Sequence, residues 1–274
     1  MIEIQAYKMD GLGNDFIIID RRKDKIDLSK QQIINIANRK KGQGCDQIII
    51  IDKDKEKKTN AKITFYNSDG GATGACGNGS RCVSYFLMNE KKLNKSKINT
   101  ESGVLKAKLT GKTEVSVDMG IPNFDWKKIP LVKKMNNTNV KIKTKHFGVL
   151  SGYTLSIGNP HVIFFKDITF ELLKKIGPQI EHHEFFPERS NVTFAKIMNK
   201  KNIAVKVWER GAGLTLACGT AACATAVAAS KLGLTGKKVN IHFKNGTLHI
   251  EWAKDKHIIM TGSVSNIKNI SLKI

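Results

Sequence analysis

The chain predicts an α+β protein of two similar halves, each with one central helix wrapped by strands. Three observations carry that expectation. The first is a near-repeat, Ala75-Cys76-Gly77-Asn78-Gly79 early and Ala217-Cys218-Gly219-Thr220-Ala221 late, each leading into a helix-like run. Its surroundings recur as well: Asn67 lies nine residues before Cys76 and Glu209 nine before Cys218, while Gly13-Asn14-Asp15 is echoed by Gly158-Asn159-Pro160. The second is a predominance of short runs rich in branched aliphatics and alternation. The third is that the run after Cys218 is small and apolar on every side, which marks a buried helix.

In order, strands are expected over 2–7, 16–20, 47–52, 62–67, 97–101, 103–109 and 113–119. In the second half they are expected over 153–157, 161–165, 191–198, 203–209, 238–243, 246–252 and 258–261. Ser29 can cap a helix over 30–40, whose Ile33, Ile34, Ile36 and Ala37 form an apolar face. A counterpart is expected over 169–176, ended by Gly177-Pro178, and the two special helices over 79–90 and 221–232. Gly120 and Pro122 interrupt the pattern near 118–123, dividing the chain into 1–119, carrying Cys76, and 120–274, carrying Cys218. The basic stretch 127–145 reads as connecting or peripheral, and a return of the final strand to the first half is compatible with the sequence.

Composition narrows the function classes. With 41% hydrophobic and 26% charged residues in 274, the chain is globular. Its N-terminus lacks a basic region followed by an apolar one, and no apolar run could span a bilayer, so a soluble, cytoplasmic protein is expected. Five cysteines, Cys45, Cys76, Cys82, Cys218 and Cys223, are an odd count, read as free thiols. Their spacings match no zinc motif, and no metal is expected. The net charge of +22 suggests nucleic acid, but the lysines are dispersed and no aromatic-interleaved basic stripe accompanies them. A solvated surface that attracts an anionic small molecule is the preferred reading.

The two cysteines carry the chemistry. A helix N-terminus has unpaired N–H groups and partial positive charge, so a thiol there is expected to ionise more easily and a substrate carboxylate to be held beside it. One helix-capping cysteine per half suggests two thiols facing each other across a cleft. Such a pair can take a proton from one face of a carbon and return one to the other, as a racemase or epimerase does. No convincing lysine site for pyridoxal phosphate stands out, and a cofactor-free route through a dry cleft is expected. Cys45, Cys82 and Cys223 read as buried small hydrophobes.

Further motifs then align. Met9-Asp10-Gly11-Leu12-Gly13-Asn14-Asp15-Phe16, Asn67-Ser68-Asp69-Gly70, the two cysteine motifs, Gly158-Asn159-Pro160-His161, Pro187-Glu188-Arg189-Ser190-Asn191 and Glu209-Arg210-Gly211-Ala212-Gly213 occur in that order. Together they resemble the diaminopimelate epimerase family over nearly the whole chain. The resemblance implies two halves, each a barrel-like, mostly antiparallel sheet around a central helix, with the active site in the cleft between them. It implies cofactor-independent interconversion of LL- and meso-2,6-diaminopimelate, a step towards lysine and peptidoglycan. By the family pattern Cys76 and Cys218 are the thiolate/thiol pair, and Gly77, Asn78, Gly219 and Thr220 hold the reacting carboxylate. Asn14, Gln47, Asn67, Asn159, Asn191, Glu209 and Arg210 bind the remaining polar groups. Arg210 suits a distal carboxylate because its fork grips two oxygens, and His161 is an auxiliary candidate.

Three positions depart from the pattern: Leu214 where the family usually has Glu, Gly71-Ala72 for Ser-Glu, and Ala221 for Gly. The nearest rival is an epimerase of the proline or hydroxyproline type; an isomerase with a carboxylate base, a nucleic-acid binder and a thiol redox protein are weaker. The expected partner is the small-molecule substrate, with a homodimer as the assembly to test.

Overall fold

A computed structural model describes residues 2–24, 26–74 and 76–274. The first part of the chain supplies β1 (Glu3–Gly11), β2 (Asn14–Asp20), α1 (Lys30–Ala37), β3 (Gln47–Asp52), β4 (Ala61–Asn67), β5 (Ala72–Thr73), α2 (Gly77–Glu90), β6 (Lys95–Thr100), β7 (Gly103–Leu109) and β8 (Glu114–Asp118). The middle supplies β9 (Val140–Thr144), β10 (Gly148–Ser156), β11 (Pro160–Phe164), α3 (Phe170–Glu181), β12 (Asn191–Asn199), β13 (Asn202–Glu209), β14 (Gly213–Thr215), α4 (Gly219–Lys231), β15 (Lys238–Phe243) and β16 (Gly246–Trp252). Two strands finish the chain, β17 (Ile258–Ser263) and β18 (Lys268–Lys273). One compact unit comprises Met1–Asp118 with Thr261–Ile274, and the other Met119–Met260.

In the first unit β1 pairs antiparallel with β2, and α1 carries the chain to β3, parallel to β2. Strand β4 returns antiparallel to β3, the short β5 folds back on β4, and α2 leads to β6, parallel to β4. Strands β7 and β8 extend the sheet by hairpins, and β18 pairs with β1. The second unit repeats the plan. Strands β9, β10 and β11 run antiparallel, and α3 carries the chain to β12, parallel to β11. Strand β13 returns, β14 folds back on it, α4 leads to β15 parallel to β13, and β16 closes a hairpin.

Each sheet has a helix on either face, so its central strands are apolar on both sides. Phe16–Ile19 and Ile48–Ile51 are all buried. Ile17, Ile19, Ile48 and Ile50 pack with Ile33, Ile36 and Ala37 of α1, while Phe16, Ile49 and Phe65 meet the first turn of α2. Each such side chain removed from water contributes roughly 1.5–3 kcal/mol. In the second unit Val162, Phe164, Val192 and Phe194 pack with Leu173, Ile176 and Ile180 of α3. Alternation turns His161 to the opposite face of β11, and α4 packs against that strand. Helix α4 is buried over Gly219–Ala229, its alanines and Gly219 letting strands close on it from all sides.

Two expectations are corrected. The stretch 127–145 is not peripheral: Ile129, Leu131, Val140 and Ile142 belong to the core against α3. Lysines on the outward face of β9, whose burial alternates, hid its period. Helix α3 does not end before Gly177-Pro178 but runs to Glu181. An interior proline costs a helix about 3 kcal/mol, offset here by burial of Ile176 and Ile180 and by close docking at Gly177. A Cβ at Gly177 would stand 2.7 Å from the Trp208 ring, so only glycine lets α3 settle on β13. Among the described residues no helix is long and apolar enough to cross a membrane.

Candidate active site

Cys76 is the N-cap of α2, in an extended conformation (φ −139°, ψ 112°), and its Sγ accepts the N–H of Gly79 at 3.3 Å. Gly79 is required there, because a Cβ would come within 2.9 Å of Phe65 and 3.2 Å of Phe16. The half-buried thiol also donates to Asn14 Oδ1 at 3.8 Å. The β1–β2 hairpin delivers Asn14 through Leu12 and Gly13, both at positive φ. Asn78 donates to the same oxygen at 3.4 Å, and Asn14 Nδ2 donates to Asp46 at 2.7 Å. Gln47 opens β3 opposite Asn67 at the end of β4, and donates to its Oδ1 at 2.8 Å. The buried Oε1 of Gln47 has no hydrogen-bond partner, which leaves an acceptor available to a ligand's ammonium. Gly77 follows Cys76 as the first residue of α2; Ala75 lies outside the described residues.

Cys218 repeats the backbone geometry at the N-cap of α4 (φ −137°, ψ 114°), but its side chain is only 5% exposed. Its Sγ lies 3.5 Å from Thr220 Oγ1, and Asn159 Nδ2 donates to that hydroxyl at 3.4 Å. Asn159 Oδ1 in turn lies 2.9 Å from His161 Nε2. That contact calls for the proton on Nε2, since the amide oxygen only accepts. His161 is fully buried, and burial, then the charge of Arg210, lowers its pKa to about 3. The imidazole is therefore neutral. Burial also pushes the Cys218 thiol well above its ordinary range, and Glu209 adds to that, while Thr220 and the Ala221 amide act against it. At Cys218 desolvation and a neighbouring carboxylate oppose the easier ionisation expected of a helix end.

Glu209 ends β13 and accepts a 2.5 Å hydrogen bond from Thr215 of β14. The amide of Asn191 is engaged at both ends, donating to Pro160 O at 2.9 Å and accepting the Arg210 N–H at 3.0 Å. Arg210 Nη1 reaches Glu188 O at 3.1 Å. Leu214 stands opposite Trp208 and packs on the α3 core, so its side chain serves that core. Ala221, fully buried at the third position of α4, fills space that its counterpart Gly79 must leave empty.

The first unit thus gathers Cys76, Gly77, Asn78 and Asn14, with Gln47 and Asn67 as a second pair. The second gathers Cys218, Gly219, Thr220, Asn159, His161 and Glu209, with Asn191 on the Arg210 turn. Cys45, Cys82 and Cys223 are buried and in no disulfide, and burial pushes Cys45 up to about 12. Sequence reasoning missed Asp46 and Thr215, which orient Asn14 and Glu209. It also missed Glu181, hidden by the early end expected for α3. Among the described residues no group of three or more His, Cys, Asp or Glu could hold a metal ion.

Known proteins resemble this chain over most of its length. A family model described as diaminopimelate epimerase matches residues 6–124 and 153–267. A diaminopimelate epimerase of Pelagibacter ubique is 50% identical over 280 residues, covering 100% of both chains. One of Caulobacter vibrioides is 44% identical over 269 residues, covering 94% of this chain and 93% of its own. Among solved structures, a probable proline racemase from Agrobacterium radiobacter K84 superposes with a TM-score of 0.73 at 13% identity, over 99% of this chain and 93% of that one. That likeness is one of fold.

Proposed function

Since the chain belongs to the diaminopimelate epimerase family, we propose that it interconverts LL- and meso-2,6-diaminopimelate by passing an α-proton between Cys76 and Cys218. The observation that carries this reading is the duplicated helix N-terminus, with one cysteine in the same backbone conformation in each unit. One cysteine, as thiolate, removes the α-proton and becomes a thiol. The other, as thiol, protonates the opposite face and becomes a thiolate. Charge and protons balance, and the enzyme emerges with the two roles exchanged.

Abstraction leaves negative charge on the α-carbon and its carboxylate. The N–H groups at the first positions of an α-helix have no intrahelical acceptor and carry the positive end of its dipole. Those of Gly77 and Asn78, and of Gly219 and Thr220, are suited to hold that carboxylate as charge develops. The neutral amides Asn14, Asn67, Gln47 and Asn159 with Glu209 suit ammonium groups, and the Arg210 fork suits the distal carboxylate. A cytoplasmic enzyme that assembles as a homodimer completes the reading.

The test is deuterium incorporation at the α-carbon of LL-diaminopimelate in D2O, with reductant and no added cofactor. Wild type incorporates deuterium and forms the meso isomer, while Cys76→Ala and Cys218→Ala each lose about 10³-fold of that rate, the scale of a removed acid or base. No exchange by folded, reduced wild type would remove diaminopimelate as the substrate.

A further inference from the structure

The turn after Glu209 bears the site's guanidinium and is held from outside its own strand. All three N–H groups that follow Glu209 are engaged. Arg210 N–H goes to Asn191 Oδ1 at 3.0 Å, Gly211 N–H to Glu181 Oε1 at 2.8 Å, and Ala212 N–H to Glu209 O at 3.1 Å. Gly211 sits at φ +74°, which makes the turn a specific shape that needs a specific hold. Glu181 is the last residue of α3, only 3% exposed, and its second oxygen accepts Trp208 Nε1–H at 2.7 Å. Trp208 is itself fixed: a Cβ at Gly177 of α3 would stand 2.7 Å from its ring, and one at Gly213 of β14 would stand 3.5 Å from its far edge.

We infer that Glu181 is a positioning residue for substrate recognition. Its two oxygens lock the Glu209–Arg210–Gly211 turn and so set where the Arg210 guanidinium stands. This inference rests on the proposed reading of Arg210 as the group that grips the distal carboxylate. A buried carboxylate is costly unless both oxygens are satisfied, and here the two donors come from the residues that flank Glu209 and Arg210. A purely structural acid at the end of a helix has no need to reach that turn. The helix delivers Glu181 only because it continues through Gly177 and Pro178, so its extra turn and the placement of Arg210 are one device.

The experiment is steady-state epimerisation of diaminopimelate by wild type, Glu181→Gln and Trp208→Phe, with Arg210→Lys and the double variant Glu181→Gln/Arg210→Lys completing a cycle. Glutamine keeps one acceptor but presents an NH2 group to the second donor. A displaced guanidinium weakens ground-state and transition-state binding together. Glu181→Gln is therefore expected to raise KM about ten-fold with kcat within about three-fold. In the Arg210→Lys background the same change should add less than about two-fold, because both act through one contact. Trp208→Phe, which removes one donor and leaves Gly211 bound, should raise KM about three-fold, and it carries the test if Glu181→Gln does not fold.

An unchanged KM, whatever happens to Tm, would overturn the inference. So would a full, independent effect of Glu181→Gln in the Arg210→Lys background. Inactive wild type would instead sink the assigned reaction, so the two failures are told apart by the first curve recorded.

Discussion

The helix N-terminus at Cys76 and the one at Cys218 have nearly superposable cap dihedrals and follow the same succession of strands, yet they make unlike thiols. Cys76 is half-buried, accepts the Gly79 amide and donates to the amide oxygen of Asn14. Cys218 is buried, beside a hydroxyl and under the influence of the Glu209 carboxylate, which with burial favours the protonated form. The backbone supplies the same feature to both, a donor-rich helix end. The two caps thus share a backbone and differ in the side chains around the sulfur.

The strongest way to break this comparison is to exchange the third residue of each helix. Gly79→Ala drives a methyl group into Phe65 and Phe16 and should cost about 2–3 kcal/mol in urea unfolding, as overpacking does. Ala221→Gly in the other helix should cost no more than about 1 kcal/mol, the price of backbone freedom. Equal losses would mean that the two helix ends are packed alike.

Acid should then single out the second unit. His161 has its pKa lowered from 6.5 to about 3, chiefly by burial. A depressed pKa contributes stability present above about 6.5 and lost as pH falls towards 3, at about 1.4 kcal/mol per pH unit. Between pH 6.5 and pH 5 the loss from this residue should be about 2 kcal/mol, and His161→Gln should abolish that portion of it. If wild type and variant lose stability in parallel over this range, the imidazole is not held neutral by its surroundings.

The mildest test reads the sulfurs directly. Iodoacetamide at pH 8 should label Cys76 about ten-fold faster than Cys218, because reactivity follows exposure and thiolate fraction. Mass spectrometry of a time course gives both rates in one sample. Faster labelling at Cys218 would invert the comparison.

Much of the fold was legible because its signals are local. The nine-residue spacing from Asn67 to Cys76 and from Glu209 to Cys218 reflects a strand end, a short return strand and a helix cap, all read from neighbouring residues. Four strands, among them Gln47–Asp52 and Lys238–Phe243, fell at the bounds that their branched aliphatics suggested. What escaped depends on partners far along the chain. Helix α3 outlasts Gly177-Pro178 because Trp208 packs on Gly177, and Val140–Thr144 is a strand because α3 covers its apolar face. The two- and three-residue strands β5 and β14 are too short to show a period. At the site, the resemblance supplied Asn14, Asn159 and Glu209 as substrate binders. That Glu209 restrains the ionisation of Cys218, and that Asn191 has both ends of its amide on backbone, required coordinates.

The chain order of the units has a consequence for synthesis. Thr261–Ile274 belongs with the first unit, β18 pairs along β1, and Ile2 and Ile274 exchange backbone hydrogen bonds at 2.9 Å. The second unit is therefore an insertion within the first. On the ribosome the sheet that starts first finishes last, because β1, paired with β2 along one edge, waits for β18 along the other until residues 119–260 have been made. At about 5–20 residues per second that wait is on the order of ten seconds. Through it β1 offers an unpaired edge to any passing strand, a liability the completed sheet removes.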